Sequence, residues 1–484
     1  MLRSYAALPI VAVVAALSAC TVGPDYQPPR IAAPDTWSEA TDGLNQGPDA
    51  APRLARWWTG FRDPELDHLV EEAIAGNHDL RIAAQRILAA RADRTIAAAG
   101  YYPSLSAQTT AQRAQQSKNL TLPQVRSLSN TFQAGFDASW EIDLFGKTRR
   151  TVEAADATLD ATTWDRRAVL VSLLGELGTD YSQLRSAQER IRIARQTIAA
   201  DQDALDLAQQ KFANGMGTEL DVAQARAELE TVRASLPQFE TMVAQNAHAI
   251  AVLLGREPGA LKVELADLPG ILPPVPPNLP SSLPSEVVRN RPDIRSAERT
   301  LAAANAEIGV AIAQEFPSFT LTPSIGWEAG TMNKLLTSQG LIWGLAGGAN
   351  LPLFQGGALE ANVDKARALA EEDRLSYQHT VLAAFQDVED SLVALTNEER
   401  RQTALRQAVE ANRLALQRAT ELYRSGLGGF INVVNSERNL NTAEDGLAQS
   451  ALTRVQQSIA FYKALGGGWQ SLDQTAEGKA EKGN

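Results

Sequence analysis

Cysteine is almost absent from this 484-residue chain: Cys20 stands alone, so no disulfide can form within the chain. Histidine is scarce as well, and His68, His78, His248 and His379 are too scattered to suggest a metal site. Basic residues are outnumbered, 45 against 57 acidic, for a formal net charge of -12. That balance excludes the basic face that phosphate binding needs, so nucleic acid is not an expected partner. Catalytic patterns are missing too. There is no His-Glu-x-x-His and no nucleophile elbow. Gly146-Lys147-Thr148 has the ending of a phosphate loop, but the required earlier glycine is Glu141. It reads better as a turn into a helix, and the chain is not read as an enzyme.

The amino terminus is a targeting segment. Arg3 supplies a short positive region, and the apolar run from Ala6 to Ala16 is too short to span a bilayer comfortably. It ends at Leu17-Ser18-Ala19-Cys20, which has the form of a lipobox. Residues 1–19 are then a signal peptide and Cys20 the point of lipid attachment, each buried methylene contributing ~0.8 kcal/mol of anchoring. An ordinary signal peptide with a chance cysteine is the other reading. Thr21 stands where an aspartate would favour inner-membrane retention, which points to the outer membrane. A covalent lipid is the only attached group expected; no cofactor or metal is.

The chain is written twice. His78-Asp79-Leu80-Arg81-Ile82-Ala83 recurs as Pro292-Asp293-Ile294-Arg295-Ser296-Ala297, and the match continues without a gap as far as Pro103-Ser104 in the first copy and Pro317-Ser318 in the second. Ile142, Leu144 and Phe145 recur as Leu351, Leu353 and Phe354. Phe212, Gly215 and Gly217 recur as Tyr423, Gly426 and Gly428, and Leu254-Gly255 as Leu465-Gly466. Alanine-rich helices match by chance; a colinear series of Pro, Gly and aromatic matches does so far less readily. The expected layout is an extended segment over 20–60, a first repeat over 61–255 and a proline-rich linker over 256–284. A second repeat follows over 285–466, then a disordered tail over 467–484.

Each copy reads as helix, two strands, long helix, helix. Strands are expected at about 104–116, 131–144, 318–328 and 341–353. In the second, Phe132, Ala134, Phe136, Ala138, Trp140, Ile142 and Leu144 alternate with polar or small residues. Period-two alternation gives one apolar and one polar face. A sheet packed on helices would satisfy it, and so would a membrane barrel with its apolar face outward. Four strands cannot close a useful barrel, and open edges cannot face lipid, so a membrane reading requires several chains. Three would give twelve strands. Between Lys147 and Ala213 there is no proline, and between Ala358 and Ser425 neither proline nor glycine. Helices of that length reach roughly 100 Å at 1.5 Å per residue and must pack side by side. Heptad spacing supports this at Leu184, Ile191, Ile198, Leu205 and Phe212, and at Leu395, Val409, Leu416 and Tyr423, with polar Gln402 interrupting.

The chain resembles the TolC-like outer-membrane factor family, in its lipoprotein branch serving RND efflux pumps. The residues that carry the resemblance are the run from Cys20 to Pro29, Trp57-Trp58 with Phe61 and Asp63, Arg291-Pro292-Asp293-Ile294, and Pro352-Leu353-Phe354 with Gly356-Gly357. It covers essentially the whole mature chain. The resemblance implies an α+β membrane protein and a homotrimer. Its twelve-stranded transmembrane β-barrel, four strands per chain, would continue into a long periplasmic α-helical barrel of coiled coils. It implies a periplasmic adaptor protein, an inner-membrane RND pump and outer-membrane lipid as partners, and passage of drugs or other small toxic compounds. It also places site residues. Asp221 and Tyr423 fall on a latch position, where a phenol would donate to a carboxylate; a solvated aspartate and a packed tyrosine are the plainer reading. Asn432 and Asn435 fall on a periplasmic constriction, or simply cap a helix. They are amides where some members carry carboxylates, which puts cation binding there in doubt. Gly215, Gly217, Gly426 and Gly428 mark tight reversals that would contact the adaptor. A protein-secretion duct, a heavy-metal efflux duct and a pore-less tether remain as rivals.

Overall fold

A computed structural model describes residues 21–39, 50–115, 117, 128–265, 270–276 and 283–471. Cys20, the expected signal peptide, and residues 472–484 of the expected tail lie outside them. The elements run α1 (Ala50–Ala55), a 3-10 turn (Trp57–Phe61), α2 (Pro64–Gly76), α3 (His78–Ala99), β1 (Ser104–Gln115), β2 (Leu128–Ile142), α4 (Lys147–Ala213) and α5 (Glu219–Leu253). Then come α6 (Pro284–Asn290), α7 (Pro292–Ala313), β3 (Ser318–Ala329), a 3-10 turn (Met332–Lys334), β4 (Leu341–Asn350), α8 (Ala358–Arg424) and α9 (Phe430–Ala464). The repeat survives in the lengths. The paired helices have 22, 67 and 35 residues in each copy, and β1 and β3 have 12 each.

Three sequence expectations need correction. Segment 20–60 does not stay extended: Trp57, Trp58 and Phe61 are buried, because three large rings within five residues carry too much apolar area to lie on a surface. The linker starts later than residue 256. Turns up to residue 265 bury Leu261 and Leu265, and Gln188 donates to the Leu265 carbonyl at 2.7 Å. The tail also starts late. Trp469 packs edge-on against Trp164 at 5.4 Å and donates to the Asn290 carbonyl, which holds residues 467–471 in the fold. Two short helices, α2 and α6, went unforeseen. Asp63 caps α2 by accepting from Glu65 and Leu66, while Glu286 reaches back to the Leu283 amide to start α6.

The chain divides into two compact units. The first comprises residues 1–30, 85–163 and 296–378; the second, 31–84, 164–295 and 379–484. In the first, the sheet is antiparallel throughout in the order β1-β2-β3-β4. Phe136 pairs with Ala107 on one side and Ile325 on the other, and Ile325 with Trp343, so the apolar alternation of all four strands falls on one face. Residues 22–25 are tied down in the same unit. Arg150, whose side chain is 4% exposed, donates to the Val22 and Gly23 carbonyls and to Asp25 at 2.8 Å. The Val22 amide bonds to Phe145, and Asn305 donates to the Pro24 carbonyl. Gly23 is at φ +91°, and a methyl there would fall 2.5 Å from Gly309 Cα.

In the second unit Trp57 stacks on Tyr462 at 5.4 Å, and the buried Tyr181 hydroxyl donates to Asp63 at 2.8 Å. The helix joints repeat. Asn77, just before α3, donates to the Leu253 carbonyl at the end of α5. Arg291, just before α7, donates to the corresponding Ala464 carbonyl of α9 and also binds Asp293 and Asp387. The Arg-Pro-Asp-Ile motif is therefore a joint. Gln402, the interruption in the second heptad series, is buried and accepts from Arg406 and Arg454, so its polarity is satisfied.

Candidate functional site

Two places lack a self-contained explanation in one chain. The first is the sheet. Its apolar face is bare: Leu105 is 73% exposed, Trp343 78% and Leu345 67%, with Phe136 and Ile325 about half exposed. Among the described residues, the outer edges of β1 and β4 have no partner strand. An apolar face this continuous, bounded by two unpaired edges, is unstable in water. No helix among the described residues is long and apolar enough to cross a membrane.

The second place is the pair of helix reversals. α4 ends with Gly215 at φ +73°; its amide bonds to Phe212, and Met216 bonds back to Lys211. α8 ends the same way, with Gly426 at φ +75° bonded to Tyr423 and Leu427 to Leu422. This double bond pattern around a left-handed residue closes a helix and needs glycine. Gly217 and Gly428 are needed for room instead: a methyl on either would meet the preceding helix at about 3.1–3.2 Å. The reversals diverge at the helix starts. Thr218 and Asp221 form a reciprocal capping box at α5, whereas α9 starts from Gly429 with no side-chain cap.

Behind the reversals, Leu205, Ala208, Ala225, Leu229, Tyr423, Phe430, Val433 and Val434 form one apolar cluster joining α4, α5, α8 and α9. Tyr423 packs on Phe430 at 5.0 Å. The expected latch bond is not made here. The Tyr423 hydroxyl is buried with no hydrogen-bond partner, while the Asp221 carboxylate accepts from the Thr218 amide. The two still sense each other: burial first, then the Asp221 charge, push the Tyr423 phenol up. What joins α4 to α8 is Lys211. Its ammonium donates to the Tyr423 and Arg424 carbonyls and lies 4.4 Å from the Tyr423 ring centre. A cation on the closing carbonyls of a neighbouring helix is favourable for both charge and dipole.

Asn432 and Asn435 are exposed on α9, opposite buried Val433 and Val434. They do not cap the helix, since Gly429 occupies the cap. The sequence reading missed Lys211, and also three buried carboxylates, Asp201, Glu228 and Glu437. A signal existed for the acids. Asp201 lies one helical turn before Leu205 and Glu437 one turn after Val433, so both fall in the apolar stripes.

Comparison with known proteins decides the family. The model of the outer membrane efflux protein family matches residues 69–256 and 283–467, one stretch for each copy of the repeat. The chain belongs to the outer membrane efflux protein family. Among curated relatives, a probable efflux pump outer membrane protein of Pseudomonas putida, TtgC, is 30% identical over 97% of this chain and 96% of its own length. Nodulation protein T of Rhizobium leguminosarum is 32% identical over 94% of this chain and 96% of its own length. Among solved structures, the outer-membrane channel OprN superposes with a TM-score of 0.88 at 36% identity, covering 93% of this chain and all of that one. CusC gives 0.80 at 28% identity, covering 93% of this chain and all of that one. The fold class is therefore that of the trimeric efflux channels, a shared β-barrel continued by a long helical barrel. An efflux channel of the outer membrane accounts for both places at once.

Proposed function

We propose that this chain, as a homotrimer, is the exit duct of a tripartite RND-type pump and passes small toxic compounds outward from an inner-membrane pump and a periplasmic adaptor. The observation that carries the reading is the sheet: an exposed apolar face whose two edges, β1 and β4, lack partners among the described residues. Pairing β4 of one protomer with β1 of the next in three copies removes every edge and turns the apolar face to lipid. Twelve strands enclose a lumen that four cannot. The chain itself does no chemistry in this reading and needs no cofactor. A diacylglycerol on Cys20 would enter the membrane beside the strand–helix junction, where Val22 and Gly23 are already held by Arg150.

The helix reversals supply the adaptor contact. Met216 and Leu427, at equivalent places next to Gly215 and Gly426, are 70% and 79% exposed. Apolar side chains projecting from tight turns suit insertion between partner helices. Relatives are named for toluene, antibiotic and pyoverdine export, which supports small-molecule cargo chosen by the pump. Asn432 and Asn435 would line the narrow end as an uncharged ring, and the tie at Lys211 would keep that end closed at rest. The test is accumulation of dyes, antibiotics, solvents and metal ions in cells with and without the gene. Greater accumulation of at least one organic compound, reversed by the wild-type gene, is expected. A secretion defect for a protein, with unchanged small-molecule levels, would overturn the cargo assignment.

A further inference from the structure

Three carboxylates lie inside the four-helix packing behind the reversals, where apolar residues would be expected. Asp201 of α4 is 2% exposed, Glu228 of α5 5% and Glu437 of α9 7%. Each sits within a turn of the apolar cluster: Asp201 before Leu205, Glu228 beside Leu229, Glu437 after Val433 and Val434. Among the described residues, only one of them has a cation. Arg438 of α9 donates to Glu228 at 2.7 Å, which ties α9 to α5. With both other acids ionised, neither Asp201 oxygen has a donor. Its neighbour within hydrogen-bonding reach is the Glu437 carboxyl, which can donate only while it keeps a proton. The charges acting on this pair are its own two members and Glu228; no charged group of α8 acts on either. No metal-binding group of three or more His, Cys, Asp or Glu exists among the described residues, so a divalent cation is not the missing partner.

We propose that Asp201, Glu228 and Glu437 form a proton-binding lock that holds α9 against the α4–α5 pair, closed at acid and neutral pH and released as the pH rises. The proposal rests on the reading of the chain as a duct. Burial first, and then the Asp201 carboxyl beside it, push the Glu437 carboxyl up to about 9, and burial also raises Asp201. A solvated glutamate titrates at about 4.3. The packed arrangement therefore binds a proton that the parted one releases. Between these two values parting becomes easier as the pH rises, by about tenfold per pH unit for each protomer that moves. Above the upper value the packed pair must hold two adjacent charges in a dry site, which it cannot do without strain. Mechanical separation of α9 from α4 by a docked partner would release the same proton.

The experiment has two readouts on the purified trimer. Infrared spectroscopy of the wild type at pH 7 should show a protonated carboxyl band that titrates above pH 8 and is absent in Glu437→Gln. Single-channel recording between pH 5 and 9.5 should show open probability rising with pH in the wild type. Glu437→Gln, whose amide donates to Asp201 without titrating, should flatten that rise and stay quiet at alkaline pH. Asp201→Asn, which removes the adjacent charge, should shift the infrared titration to lower pH. A missing band, or a pH dependence of opening that Glu437→Gln leaves unchanged, would overturn the lock. A trimer that conducts at no pH either as the wild type or as Lys211→Met, even with the band present, would instead bring down the duct reading and the gating role with it.

Discussion

The two copies of the repeat share the lengths of their three main helices and their helix joints, and differ in what they place near the reversals. Phe212 of the first copy is 48% exposed, while its counterpart Tyr423 is buried in the cluster. Thr218 and Asp221 cap α5 reciprocally, while their counterparts Gly429 and Asn432 leave α9 without a side-chain cap. Asp201 and Glu228 of the first copy correspond to Asn412 and Asn439, and Glu437 of the second to Arg226. No acid is repeated, yet the three acids meet. Duplication supplied a symmetric frame, and the polar content of the packing arose separately in each half. Features that both copies need, such as positive-φ glycines and proline stops, are kept in pairs. Features that tie one copy to the other occur once.

Substitutions can press on this comparison, and the joints should give the largest effect. Arg291→Ala removes bonds to the buried Ala464 carbonyl and to the solvent-accessible carboxylates of Asp293 and Asp387, at a cost of about 2–3 kcal/mol, most of it at the carbonyl. Asn77→Ala, the same joint in the first copy, should cost about 1–3 kcal/mol. Thermal dissociation of the trimer in detergent would rank them, and equal losses would mean that the copies share the strain. Next come the turns. Gly426→Ala and Gly215→Ala should each cost about 1–2 kcal/mol, because a side chain at positive φ is strained even in open space. The cap follows: Thr218→Ala, which also breaks the capping box, should cost about 1–2 kcal/mol, against about 0.5–1 kcal/mol for Gly429→Ala, which loses no side-chain bond. Amide hydrogen exchange over the first turns of α5 and α9 would resolve this difference. Last, Tyr423→Phe makes the second copy match the first and removes a hydroxyl without a partner. It should change stability by under ~0.5 kcal/mol and leave resting conductance unaltered. Lys211→Met should make the trimer leak; a leak from Tyr423→Phe but not from Lys211→Met would restore the phenol as the latch.

The strands and long helices were legible because their periods extend over many residues. Alternation from Phe132 to Leu144 and proline-free runs ending at Gly215 and Gly426 leave little choice of element. Short elements were not, since α2 and α6 depend on single caps, Asp63 and Glu286, within segments that otherwise look irregular. The reversals themselves could be read from paired glycines. The contacts between copies could not. Lys211 reaches Tyr423 across 212 positions and Arg438 reaches Glu228 across 210, and no local pattern announces such a pair. The Asp221–Tyr423 expectation fails for a local reason: an aspartate three residues after a threonine at a helix start is already engaged in a capping box.

Residues 22–26 have a timetable. Every protein partner named for residues 22–26 lies far downstream: Phe145 and Arg150, then Glu298, Asn305 and Gly309. Residues 22–26, among the first to leave the ribosome, therefore cannot take their places until α7 has been made and laid down. Gly23 in particular has no seat before Gly309 offers its bare Cα. Closure of so long a loop is an entropically costly, late step. A lipid tether on Cys20 would hold this segment at the membrane during that wait, so that the first part of the chain to be anchored is among the last to be built in.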